Sequence, residues 1–180
     1  MKWKLLSLPI LSAALIMGGC ATTDDKETED SSAESHTHTG TSEIPAGLEL
    51  ATNPKFIEGS QVTILADHME GMDGAEGTVL SAYDTTAYEV SYTPVDGGEK
   101  VNNHKWVVQE EIKDAGNEKL APGTEVTLEA DHMEGMKGAE AVIDAAEETT
   151  VYMVDYTPTN GGKKVTDHKW LTEDELEARE

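Results

Sequence analysis

Much of this chain is written twice. Gly59-Ser-Gln-Val-Thr-Ile returns as Gly123-Thr-Glu-Val-Thr-Leu, and Ala66-Asp-His-Met-Glu-Gly-Met returns unchanged from Ala130. Tyr92-Thr-Pro and His104-Lys-Trp return at Tyr156 and His168, so every match is offset by 64 residues with no gap. A gap-free period means one small structural unit has been duplicated, and any side chain serving both units must appear at both positions. Asp114 to Pro122, with Gly116, Asn117 and Pro122, reads as the joint. The expected organisation is a signal segment over 1–19, a tether over 20–43, and repeat domains over 44–114 and 115–180.

Within each repeat the pattern is that of short strands. Val62-Thr-Ile-Leu, Gly77-Thr-Val-Leu, Ala87 to Tyr92 and Lys100 to Val108 are β-rich, and Gly97-Gly98 marks a hairpin before the last of them. Val126 to Leu128, Ala141 to Ile143, Val151 to Tyr156 and Lys164 to Leu171 repeat the series. Gln109 to Ile112 and Thr172 to Ala178 are expected as short helices, the second with Thr172 as N-cap and Glu175 three residues on. The expected fold class is all-β, with two tandem, small SH3-like antiparallel barrels. A unit of about 55 residues buries only roughly 60% of its unfolded surface, so the copies are expected to pack together.

The N-terminus indicates export. Lys2 and Lys4 precede an apolar run from Leu5 to Met17, then Gly18, Gly19 and Cys20, the layout of a secretory signal peptide. The small residues before Cys20 resemble a bacterial lipobox, with Met17 where Leu is usual. A lipidated Cys20 would hold the chain on the outer face of the cell membrane, since acyl burial contributes about 0.8 kcal/mol per CH₂. The alternative is ordinary cleavage with a free thiol. Ala21 to Ser42 is polar and acidic, with no apolar side chain larger than Ala, and reads as a disordered tether; its His36 and His38 read as part of the spacer.

Cys20 is the one cysteine in the chain, so the body has no internal disulfide and no thiolate metal site. The excess of 36 acids over 13 Lys and Arg gives a net charge of −23, which excludes nucleic acid as a partner and attracts cations. No nucleophile elbow, phosphate loop or cysteine nucleophile is present in the repeats, and the expectation is a non-enzyme.

The chemistry gathers at Asp67-His-Met-Glu-Gly-Met-Asp-Gly and Asp131-His-Met-Glu-Gly-Met-Lys-Gly. Of the five Met after the signal segment, four are Met69, Met72, Met133 and Met136. Thioethers beside an imidazole select Cu(I) over hard cations, and they resist the oxidation that threatens an extracellular thiolate. His68, Met69, Met72, His132, Met133 and Met136 are the candidate ligands, with His104 and His168 as further candidates from a neighbouring strand. A packing reading stands beside this one: the Met plug a barrel end, and His104 and His168 are hydrogen-bonded core residues beside Trp106 and Trp170. For the two latter His the packing reading is favoured, because Trp is usually buried. Asp67, Glu70 and Asp73 lack the spacing of an EF-hand calcium loop.

On three motifs the chain resembles the YdhK family of Gram-positive lipoproteins: Asp-His-Met-x-Gly-Met-x-Gly-Ala, Thr-Thr-x-Tyr-x-Val-x-Tyr-Thr-Pro and Gly-Gly-x-x-Val-x-x-His-Lys-Trp. The resemblance spans Ile44 to about Leu176. It is similar there to CopL, a copper-binding surface lipoprotein associated with copper tolerance, and this implies Cu(I) sequestration outside the membrane at the His-Met-x-x-Met positions. Delivery to a copper exporter is a variant of that role. The alternative is an SH3-like cell-wall-binding module with Trp106 and Trp170 as contact residues and no metal role.

Overall fold

A computed structural model describes residues 42–179. The expected signal segment, Cys20, and the His36 and His38 of the tether lie outside the described residues. Among the described residues the fold is all antiparallel β, with no α-helix. The strands are β1 (Glu49–Leu50), β2 (Gln61–Ile64), β3 (Glu76–Tyr92), β4 (Val101–Val108), β5 (Glu125–Thr127), β6 (Glu140–Thr157), β7 (Val165–Thr172) and β8 (Leu176–Ala178).

Two strands dominate. β3 and β6 each fuse what the sequence separates into two strands, and they pair along their whole length, from Glu76↔Thr157 to Tyr92↔Ala141. The polar middles, Asp84-Thr85-Thr86 and Glu148-Thr149-Thr150, break the apolar alternation and so read as loops. They are strand because each finds its partner in the other repeat. Thr85 faces Thr149, its own counterpart in the duplication, so a pseudo-twofold axis passes between them.

That axis decides where the apolar residues go. One core joins Val62, Ile64, Met72 and Val79 of the first repeat to Tyr152, Val154, Tyr156 and Leu171 of the second. The other joins Tyr88, Val90, Tyr92 and Val107 of the first repeat to Leu128, Met136, Ala139 and Ile143 of the second. Each core therefore combines the front half of one repeat with the back half of the other. The expected two closed barrels do not form: the sheet runs in the open order β5-β6-β3-β2-β8, with β1 and β4 attached to β3 and β7 attached to β6. A strand of 17 residues is too long to curl around one small core, and it crosses to a second one instead.

A third cluster, around Tyr83, Trp106, Val151, Met153 and Trp170, brings the two repeats together again. Ile44 and Leu48 pack on it, and Lys169 Nζ donates to the Glu43 carbonyl at 2.7 Å, so the segment before β1 straps this cluster. The expected short helices are single 3₁₀ turns, Gln109–Glu111 and Glu173–Glu175. After the second turn the chain returns to strand, because Leu176 is buried opposite Ile64 in β2.

Because both cores contain both repeats, the repeats should unfold together. Ile64→Ala in one core and Ile143→Ala in the other should each destabilise the protein by about 2–5 kcal/mol. Urea denaturation followed by tryptophan fluorescence should show one transition for each variant, moved to lower urea; two separate transitions would contradict the shared cores.

Candidate functional site

The His-Met-Glu-Gly-Met segments follow β2 and β5 as compact turns. In the first, Met72 N–H donates to the Met69 carbonyl at 3.1 Å and Gly74 N–H to the Ile64 carbonyl at 2.9 Å; the second repeats this with Met136 and Gly138. The turn sends its two Met in different directions. Met72 and Met136 are fully buried, one in each core, whereas Met69 and Met133 pack at the core margins. The two-sulfur arrangement expected from the sequence thus divides into one core Met and one marginal Met per turn, because Gly71 and Gly135 turn the chain at positive φ between them.

Each turn is clasped by the hairpin tip of the other repeat. Thr159 N–H and Oγ1–H donate to the Gly71 carbonyl at 2.9 and 3.2 Å, and Val95 N–H donates to the Gly135 carbonyl at 2.9 Å. A Cβ on Gly71 would lie 2.9 Å from Asn160 Cγ, and one on Gly135 would lie 2.7 Å from Asp96 Oδ1. Both the positive φ and the close approach demand glycine here.

The clasp also sets which histidines meet. His68 lies beside His168, ring centroids 6.5 Å apart, and His132 lies beside His104 at 6.1 Å. Each pair is made across the repeats, so the site near Met69 takes His168 and not the His104 of its own repeat. Tyr156 stands edge-on to His168 at 5.6 Å, with its hydroxyl 4.0 Å from the Met69 sulfur. Tyr92 stands edge-on to His104 at 6.0 Å, with its hydroxyl 3.8 Å from the Met133 sulfur. Burial raises the Tyr156 phenol, and burial followed by the Asp96 charge pushes Tyr92 up to about 12, so both stay protonated donors.

Behind each pair stands a carboxylate. Glu175 Oε1 is 3.0 Å from His68 Nε2, while its Oε2 accepts Trp106 Nε1–H at 2.8 Å and Thr172 N–H at 2.9 Å. Glu111 does the same for His132 Nε2 at 2.7 Å, Trp170 Nε1–H at 3.0 Å and Val108 N–H at 3.2 Å. Burial alone would raise both carboxyls. The His charge and the converging N–H donors outweigh burial and hold both below their ordinary value of 4.5. The two pairs differ in depth: His132 and Glu111 are 0% and 5% exposed, His68 and Glu175 14% and 16%.

The expected Trp contact residues are not at the surface. Trp106 and Trp170 are 7% and 0% exposed, with their indole N–H groups committed to the two glutamates, so neither offers a sugar platform. Glu111, Glu175, Tyr92 and Tyr156 are the site residues that sequence reasoning passed over. All four recur at the same offset as the histidines, which was the available signal. Among the described residues no group of three or more His, Cys, Asp and Glu is arranged to hold a metal.

The pattern of the DUF1541 family, described as proteins of unknown function, matches residues 58–109 and 122–173, one match per repeat. The chain belongs to the DUF1541 family. This DUF1541 chain is 54% identical to "Uncharacterized protein YdhK" of Bacillus subtilis (strain 168), over 97% of this chain and 88% of that protein. A crystal structure of B. subtilis YdhK shares 64% identity with it at a TM-score of 0.75, covering 76% of this chain and 93% of that one. A solution structure of the YdhK C-terminal domain shares 68% identity at a TM-score of 0.64, covering 67% of this chain and 92% of that one.

Removing Glu111 strands three buried donors, so Glu111→Ala should cost about 3–5 kcal/mol in chemical denaturation, and the less buried Glu175→Ala should cost less. Both carboxyls have folded-state values below their unfolded ones, so their contribution is fully present above about pH 4.5 and is lost as pH falls through the folded values. A stability profile against pH should accordingly be flatter on the acid side for a Glu111→Gln, Glu175→Gln double variant. Gly135→Ala should destabilise by about 1 kcal/mol or more, and Asp96→Gly beside it should recover part of that loss.

Proposed function

We propose that this protein is an extracytoplasmic copper-binding lipoprotein that sequesters Cu(I) at two pseudo-symmetric corners, one built from His68, Met69 and His168 and the other from His132, Met133 and His104. The observation that carries the reading is the approach of two imidazoles from different repeats at both corners alike, each pair packed on a tyrosine whose hydroxyl reaches a marginal thioether. A metal–nitrogen bond of about 2.0 Å puts a ring centre roughly 3 Å from the ion, so two imidazoles on one ion have centres up to about 6 Å apart. The 6.5 and 6.1 Å separations lie just beyond that limit, so each pair must close by roughly a few tenths of an ångström to share one ion at the wide N–metal–N angle that Cu(I) accepts.

The glutamates fit the same role. A carboxylate held ionised accepts and cannot donate, so His68 Nε2 carries the proton it offers Glu175. In the neutral imidazole, the form that binds metal, Nδ1 is then the nitrogen with a lone pair, and a carboxylate behind an imidazole strengthens it as a donor to metal. Met72 and Met136 serve the turn from within the core. Attachment through a lipidated Cys20 would place the sites outside the membrane, where free copper is lowered before it reaches the bilayer or an exporter. The resemblance to CopL supports the copper assignment. Among the described residues the SH3-like wall-binding reading has no exposed Trp to support it.

Competition for Cu(I) against a chromogenic chelator tests the reading. The protein should withdraw two Cu(I) per chain, and Met69→Leu with Met133→Leu should weaken the withdrawal by about tenfold or more, equivalent to 1.4 kcal/mol. Met72→Leu with Met136→Leu should change it by about twofold or less. Absence of competition at micromolar protein, or indifference to the Met69 and Met133 changes, would overturn the assignment.

A further inference from the structure

The duplication leaves one backbone slot filled in the first half and open in the second. Along its outer edge β3 carries β2 near Glu76–Thr78 and β4 from Ala87 onward. The interval between them is taken by β1, with Glu49↔Asp84, Leu50↔Tyr83 and Ala51 N–H donating to the Ala82 carbonyl at 2.9 Å. On β6 the corresponding edge carries β5 at Glu140–Val142 and β7 from Val151 onward. Among the described residues no strand pairs on this edge with the interval between them, whose positions Ala146, Glu147 and Glu148, paired on their other edge with β3, are the counterparts of Ala82, Tyr83 and Asp84.

The topology explains the difference. The counterparts of β1 would be Lys113 and Asp114, but there the chain has just bridged Ile112 to Leu128, and Lys113 N–H donates to the Thr127 carbonyl at 3.0 Å. The linker is held against β5 and never crosses to β6. Burial records the consequence: Tyr83, beside β1, is buried, and its counterpart Glu147 is exposed together with Ala145 and Glu148.

We propose that this stretch of β6 receives an extended, Lys- or Arg-bearing segment of a partner protein, which adds as a strand antiparallel to β6. The backbone supplies the geometry, because β1 makes that addition on the equivalent edge of β3. The side chains supply the selection. Glu147 and Glu148 flank the slot, and Asp174, the counterpart of the Glu110 that lies beside Gly47 of the strap, adds a third acid. Charged residues on an open edge discourage like-charged strands, including other copies of this strongly acidic chain, and leave cationic segments as fitting occupants. Main-chain hydrogen bonds then give the affinity, as in other strand additions to a sheet edge.

Amide hydrogen exchange on the folded protein tests this, with a short acetylated peptide alternating Lys and Val as the probe. The peptide should slow exchange at residues 145–149. A peptide with Glu in place of Lys should not, and neither should the Lys peptide methylated on alternate backbone nitrogens, which keeps the charge and loses the hydrogen bonds. A Glu147→Lys, Glu148→Lys variant, shown to be folded by circular dichroism, should bind the Lys peptide about fivefold more weakly or worse. Lack of protection at 145–149 overturns the proposal. Equal binding of the methylated peptide also overturns it, because that result means bulk charge attraction and not strand addition. The copper assignment is untouched by any of these outcomes, since no proposed ligand lies within residues 145–149.

Discussion

The antiparallel pairing of β3 with β6 organises everything else in the molecule. It is the longest ladder in the fold, and it joins equivalent strands of two repeats about an axis between Thr85 and Thr149. Strand pairing across a twofold axis forces each strand to serve two cores, one on either side of the axis. From that follow the mixed composition of both cores, the inclusion of Trp106 and Trp170 in a shared third cluster, and the clasping of each turn by the other repeat's hairpin tip. Neither repeat holds a complete core of its own.

The candidate sites inherit this exchange. His68 meets His168, and His132 meets His104, because the turn after β2 packs against the back half of the second repeat and the turn after β5 against the back half of the first. The glutamates behind them cross the boundary too: Glu175 reaches His68 and Trp106, and Glu111 reaches His132 and Trp170. Such buried, charge-assisted networks are costly when half satisfied and rigid when complete. Here each carboxylate has three donors, so the imidazoles are held in position by groups drawn from both repeats. The duplication is not perfectly symmetric in effect. The strap before β1 covers the shared Trp cluster once, and the linker occupies the position where a second strap would begin.

Some of this was legible in the residues. The gap-free offset showed that chemistry would come in pairs, and the β-rich runs marked β2, β4, β5 and β7 to within a residue or two. Other features were hidden for definable reasons. The long strands looked broken because Asp84 to Thr86 and Glu147 to Thr150 are polar, and their pairing partner lies some sixty residues away in the other copy. The residues after Glu175 looked helical from their acidic composition, yet Leu176 goes to strand because Ile64 offers it a buried partner. Met72 looked like a partner of Met69 in one coordination sphere, since spacing alone cannot tell a side chain turned inward from one at the margin.

The sequence by itself determined that the fold is β-rich, that it is duplicated, and which residue types would do the work: imidazole, thioether and carboxylate, with no thiol in the repeats. These are local or compositional properties, and a linear pattern carries them. Only the tertiary structure decided which copy of each residue meets which. A duplicated chain can close each repeat on itself or exchange halves between repeats, and both arrangements satisfy the same hydrophobic pattern. The choice rests on the β3–β6 ladder, a contact between segments far apart in the chain. It moved His168 to the side of His68, put Glu175 behind His68, sealed Trp106 and Trp170, and left one edge of β6 open among the described residues.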